Sequence, residues 1–170
     1  MIYEPEEDSY LLEKYVKKFA KGKVLDVGTG SGILALAAKE KCKEVLAIDI
    51  NQEAVKLVNK KGVKAIKSDL FSEVNDKYDT IIFNPPYLPE EELEDKESKL
   101  ITTGGEKGHE IIQRFLKDAK KHLSKEGIIL IVFSSLSGNI VKLFKKYKYH
   151  AELLEKKKIF FEELYVYKLR

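Results

Sequence analysis

Apolar residues recur at helical spacing from Pro5 to Ala20, where Leu11, Leu12, Tyr15, Val16 and Phe19 share one face. Acidic Glu6, Glu7 and Asp8 stand at the end of this predicted helix that favours negative charge. The short apolar run Lys23 to Val27 then predicts a buried strand, Gly28 to Gly32 a turn, and Ile33 to Glu40 a helix. The unit repeats: Glu44 to Asp49 reads as strand, Asn51 as an N-cap and Gln52 to Lys60 as helix. Val63 to Lys67 and Tyr78 to Phe83 give two more strands. Such alternation predicts an α/β fold, a mostly parallel sheet with helices on both faces.

Between Asn84 and Gly105 periodicity disappears into a proline-rich start, an acidic stretch and paired glycines, and long loops in compact domains tend to carry function. A helix from Glu106 to Leu123, a strand from Gly127 to Phe133 and a helix from Gly138 to Tyr147 resume the pattern. His150 to Glu155 and Ile159 to Lys168 read as two strands around a turn at Lys156 to Lys158, so the chain is expected to close with an antiparallel hairpin. Neither a repeat nor a linker divides the 170 residues, and a single domain over 1–170 is expected.

Composition narrows the function classes. Hydrophobic residues make up 44% and charged residues 35%, too apolar for a disordered chain. Cys42 is the only cysteine, which excludes an intrachain disulfide and a cysteine zinc site. MIYEPEEDSY has neither the basic start nor the apolar core of an export signal, and no run approaches the roughly 18 apolar residues of a membrane span. A cytoplasmic protein without membrane attachment is expected. The 31 basic and 28 acidic residues leave a net charge of only +3, too little for a general attraction to nucleic acid. Lys142, Lys145, Lys146, Lys148 and Lys156 to Lys158 cluster late in the chain and read as a solvated face.

Gly28, Gly30 and Gly32 follow a strand and precede a helix, so a ligand can approach the backbone closely. Their G-x-G-x-G spacing departs from the G-x-G-x-x-G of dinucleotide sites, and Asp26 beside them suits a cationic amino-acid moiety better than a pyrophosphate. Asp49, ending the second strand, can accept both hydroxyls of a ribose, and Asp69 with Leu70 can receive an adenine amino group and pack on its ring. Three carboxylates at three successive strand ends point to the crevice where open parallel sheets bind ligands.

Asn84-Pro85-Pro86-Tyr87 follows the fourth strand. An amide or exocyclic amine nitrogen is a poor nucleophile because its lone pair is delocalised. If the Asn84 side-chain oxygen and the Pro85 main-chain oxygen each accept one N–H, they aim that nitrogen at a methyl donor and stabilise charge growing on it. The prolines stiffen the loop, and the Tyr87 ring can lie on a flat substrate group.

The chain resembles class I S-adenosylmethionine methyltransferases of the HemK-type protein-glutamine N5 family, in its short archaeal and eukaryotic branch. The matching elements are Tyr3-Glu4-Pro5-Glu6-Glu7-Asp8-Ser9, the glycine loop VLDVGTGSG, Asp49-Ile50-Asn51, Asp69-Leu70, FNPPY, and Thr103 to Glu110 as a G-G-x-x-G-x-E element. The resemblance implies a Rossmann-like seven-stranded sheet and S-adenosyl-L-methionine held by Tyr3, Pro5, Ser9, Asp26, Gly28, Gly30, Gly32, Asp49, Asp69, Leu70 and Asn84. Asn84, Pro85, Pro86 and Tyr87 would form the catalytic loop. It further implies N5-methylation of the glutamine in the Gly-Gly-Gln motif of a class I release factor, and a small zinc-binding activator protein as partner. N-methylation of an exocyclic amine in RNA or DNA is the alternative, since the NPPY motif is shared with such enzymes; a duplex substrate would require base flipping and additional readout surface. His109, His122 and His150 supply no recognisable ligand pair, and no metal is expected in this chain.

Overall fold

A computed structural model describes residues 2, 4–87, 103 and 108–170. The elements, in chain order, are α1 (Glu7–Phe19), β1 (Lys23–Val27), α2 (Ile33–Lys39), β2 (Glu44–Asp49), α3 (Gln52–Lys60), β3 (Lys64–Lys67) and β4 (Tyr78–Phe83). There follow α4 (Glu110–Ala119), β5 (Leu123–Ser134), α5 (Ile140–Lys146), β6 (Ala151–Ile159) and β7 (Glu162–Leu169). Seven strands form one sheet in the order β3-β2-β1-β4-β5-β7-β6. β1 to β5 run parallel, and β7 lies antiparallel between β5 and β6. No described helix is long and apolar enough to cross a membrane.

β5 explains why its sequence reads as a continuous apolar run rather than an alternation. Ile128, Leu130 and Val132 pack with Leu12 and Val16 of α1 and Leu34 of α2, while Ile129, Ile131 and Phe133 pack with Phe115 of α4 and Phe144 of α5. Both faces are buried, so neither set of alternating positions can be polar. α3 extends the first layer through Val55 and Val58 against Ala47 and Ala65. Because β2 and β3 lie on one side of β1 and β4 on the other, the strand order reverses beside β1, and a crevice opens at the carboxyl ends of the strands there.

Three expectations change. β5 begins at Leu123, opposite Tyr78 of β4, rather than at Gly127, and the α-helix before it ends at Ala119 rather than Leu123. The helix expected from Glu106 begins, among described residues, at Glu110, because Gly108 has φ +78 and His109 a non-helical backbone. The hairpin turn lies at Phe160 and Phe161, and β6 continues through Lys156 to Lys158. β6 is an edge strand, where lysines are at home in solvent. Lys156 pairs with Glu163 across the hairpin at 2.8 Å, and Lys157 with Glu7 of α1. All three lysines pair in register with β7, and Lys156 and Lys157 each meet a carboxylate from within the strand.

Gly32 sets the entry of α2. It adopts φ +84, and a Cβ there would stand 2.8 Å from Val58 Cγ2 of α3. Gly32→Ala is expected to lower unfolding free energy by about 1–2 kcal/mol through backbone strain and overpacking, measured by urea denaturation.

Candidate functional site

The crevice holds a cavity of about 880 Å³, within the range of small-molecule sites. Gly28, Thr29 and Gly30 form one wall, Asp49 and Ile50 the next, Ser68 to Leu70 a third, and Asn84 to Tyr87 the fourth. Asp8 and Ser9 of α1 close it from above the sheet, Arg114 from α4 and Glu162 from the hairpin.

Each wall is shaped locally. Gly28 takes φ +66, and a Cβ built on it would meet only the Phe83 ring, at 3.9 Å. The room beside that backbone belongs to the cavity, a cradle that a side chain would fill. Asp49 Oδ2 accepts from Gly30 N and its Oδ1 from Asn51 N, each at 2.8 Å, so the carboxylate is fixed at the end of β2. Burial raises its pKa above the ordinary carboxylate value. Asn51 caps α3 by accepting from Glu53 N, as its place in the sequence suggests. Ser68 Oγ donates to Leu70 O at 2.7 Å and accepts from Glu73 N, which holds Leu70 at φ +47 at the cavity edge.

The β4 end is tied to α1. Asn84 Nδ2 donates to Ser9 Oγ at 3.2 Å, Ser9 Oγ donates to Asp8 Oδ1 at 3.2 Å, and the Tyr87 hydroxyl donates to Asp8 Oδ2 at 2.8 Å. With its nitrogen committed to Ser9, the Asn84 amide leaves Oδ1 buried and without a hydrogen-bond partner. An unpaired buried acceptor costs free energy, so its retention points to a ligand donor that fills it.

Ser9, Gly28, Gly30, Asp49, Asp69, Leu70, Asn84, Pro85, Pro86 and Tyr87 therefore meet around one cavity. Three expected contacts do not reach it. Pro5 and Gly32 stand outside the lining, and so does Asp26, fully buried in β1 with Oδ2 accepting from Thr29 Oγ1 at 2.6 Å. Asp26 braces the glycine loop through Thr29, while its Oδ1, like that of Asn84, is buried without a hydrogen-bond partner. Tyr3 and residues 104–107 lie outside the described residues.

Burial pushes the Asp26 carboxyl up to about 7, against a partial offset from the Thr29 hydroxyl. Unfolded, it loses its proton near 3.8, so folding takes up a proton between about pH 4 and pH 7. The folded-state pKa is raised, so Asp26's contribution to stability is fully present below pH 4 and is lost as pH rises through 7. Asp26→Asn keeps an acceptor for Thr29 and never ionises. Its stability relative to wild type, from denaturation at pH 5 and pH 8, is expected to shift in the variant's favour at the higher pH; a pH-independent difference would clear Asp26 of this cost.

Asp8, Arg114 and Glu162 are among the lining residues that sequence reasoning does not assign to the site. In the sequence Asp8 stands as a helix-dipole partner and a member of the Tyr3 to Ser9 element, with no site role of its own, yet it is 4% exposed while Glu7 beside it is exposed. Arg114 pairs with Asp69 at 2.9 Å, so the carboxylate expected to receive an adenine amino group already has a cationic neighbour. Its signal was available: only two arginines occur in a lysine-rich chain. Glu162, which meets the Ser134 hydroxyl, had no signal once the hairpin turn was placed elsewhere.

Comparison with known proteins agrees with this geometry. The family model for the methyltransferase small domain matches residues 5–161. A Methanocaldococcus jannaschii protein named as a candidate protein N5-glutamine methyltransferase is 39% identical over 97% of this chain and 89% of its own length. The release factor glutamine methyltransferase of Streptococcus pneumoniae is 35% identical over 73% of this chain, which spans only 50% of that relative. Among solved structures, the E. cuniculi Mtq2–Trm112 complex, responsible for methylation of the translation termination factor eRF1, superposes with a TM-score of 0.81 at 27% identity, over 99% of this chain and 98% of that one. With the sheet order, the glycine cradle and the Asn84 loop all in agreement, this chain belongs to the methyltransferase small domain family.

Proposed function

We propose that the protein is an S-adenosylmethionine-dependent methyltransferase acting on the N5 nitrogen of a glutamine side chain, the one in the Gly-Gly-Gln motif of a class I release factor. The observation that carries the reading is the buried, unpaired Oδ1 of Asn84, oriented by Ser9. An amide NH2 group brings two donors, and the loop provides Asn84 Oδ1 and the Pro85 carbonyl to accept them. Accepting both fixes the amide plane and favours positive charge growing on nitrogen. Tyr87, its hydroxyl held by Asp8, supplies a fixed ring as a wall for that plane.

When bound, S-adenosylmethionine supplies an electrophilic methyl group on a sulfonium sulfur. The residues present fit it: Gly28 and Gly30 would admit its amino-acid end, Asp49 would accept from the ribose hydroxyls, and Asp69 with Leu70 would border the adenine. A cavity of about 880 Å³ leaves room for a side chain beside it. The glutamine assignment is supported by the M. jannaschii and S. pneumoniae relatives. A small zinc-binding activator subunit and a cytoplasmic setting belong to this reading; the likeness to Mtq2 in its complex with Trm112 supports the small partner.

The test is methyl transfer from labelled cofactor to a purified release factor and to its variant with the motif glutamine changed to alanine, with RNA and DNA controls, each with and without the activator. Label on the wild-type factor alone is expected. Label on nucleic acid instead would keep the nitrogen chemistry and overturn the substrate.

A further inference from the structure

Phe160 and Phe161 form the two-residue connection between β6 and β7 and are 96% and 99% exposed. No other large apolar side chain among the described residues exceeds the 54% of Tyr10. Two local rules are broken together. Two-residue hairpin turns favour Asn or Gly because their backbone needs positive φ, and Phe160 sits at φ +23. Two phenylalanines side by side in solvent also forgo all the free energy that their burial would contribute. Violations of local preference concentrate at functional sites.

Position gives the tip its meaning. Phe161 directly precedes Glu162, which lines the cavity and meets Ser134 Oγ; Glu163 N donates to Ser135 Oγ at 3.1 Å. The hairpin is braced on α1, where Lys14 and the Tyr15 hydroxyl both reach Glu155, at 2.7 and 2.6 Å, and Lys157 reaches Glu7. The aromatic pair thus stands at the tip of a hairpin held to α1, immediately before a residue that lines the cavity.

We propose that Phe160 and Phe161 are the docking anchor for the body of the protein substrate. The inference rests on the protein-glutamine reading above. A glutamine side chain enters the cavity only if the domain bearing it lies over the rim, and the tip adjoining Glu162 is then the apolar surface that this domain meets. Aromatic anchors beside a polar rim carry much of the energy of protein interfaces. The occupant is an apolar patch on the release factor next to its Gly-Gly-Gln loop.

The test compares wild type with the double variant Phe160→Asn/Phe161→Gly, a turn sequence suited to this hairpin that removes both rings. If the pair merely built the turn, this variant would be as stable or more so and equally active. Docking predicts instead that KM for full-length release factor rises at least about tenfold. Turnover at saturating factor, affinity for S-adenosylhomocysteine and melting temperature should stay near wild type. Phe160→Tyr/Phe161→Tyr should restore most of the KM. An unchanged KM for a factor that wild type does methylate overturns the docking role and leaves the activity standing. A changed association state of the chain alone, with KM unmoved, assigns the tip to a second copy and also overturns it. Failure of wild type to label the factor at all overturns the substrate reading, and the docking role with it.

Discussion

Asn84→Ala is expected to cut methyl transfer at least about 100-fold while leaving affinity for S-adenosylhomocysteine within about threefold, the scale seen when one oriented transition-state contact is removed. The separation follows from geometry. Asn84 spends its nitrogen on Ser9 and keeps its oxygen unpaired, so the wild type holds an acceptor in place before any substrate arrives. Alanine relieves the cost of a buried, unsatisfied acceptor but also loses the bond to Ser9, opposing effects that should leave the variant folded with stability near that of wild type. Single-turnover rates with saturating cofactor, set beside calorimetric affinities, separate the two effects. Near-normal turnover in the variant would remove Asn84 from the chemistry. Ser9→Ala should give a smaller loss, since it frees the amide to rotate without deleting the oxygen.

Asp49→Ala should have the converse signature: affinity for S-adenosylmethionine falls about 100-fold or more, and the rate at saturating cofactor changes little. A carboxylate that accepts from two ribose hydroxyls contributes through charge-assisted hydrogen bonds, each stronger than a neutral one. Asp49 also accepts from Gly30 N and Asn51 N, so part of the loss comes from loosening the glycine loop. Asp49→Asn separates the contributions, because it keeps a side-chain oxygen for the loop and drops the charge. An intermediate affinity is expected for it by calorimetry. If Asp49→Ala binds as tightly as wild type, the ribose lies elsewhere in the cavity.

The elements near the glycine loop were legible because their causes are local. A strand of apolar residues ending in three alternate glycines can do little other than turn sharply, and Asn51 caps α3 through a bond to a residue two positions on. The Asn84 loop was legible from its own stereochemistry, an acceptor followed by two residues without N–H groups. Asp26 shows the limit of this reasoning. Its neighbours indicate a carboxylate beside the loop, but in a strand buried on both faces the sequence does not say which way a side chain points, and this one points at Thr29. The lysine run at 156–158 misled for a related reason: polar residues signal a turn only when no partner strand or helix supplies opposite charge, and here Glu163 and Glu7 supply it.

By itself the sequence determined the fold class, the position of the crevice and the chemistry of its walls, since each depends on periodicity, turn stereochemistry or a short motif. Tertiary structure alone decided which residues meet. Asp8 reaches Tyr87 across 79 positions of chain and Arg114 reaches Asp69 across 45, contacts that no local pattern encodes because the sheet order, not sequence distance, brings their elements together. It likewise decided that Glu162 lines the cavity and that two phenylalanines stand in solvent at the hairpin tip before it, because the turn of an edge hairpin is set by pairing with β7 and α1 rather than by the residues that make the turn.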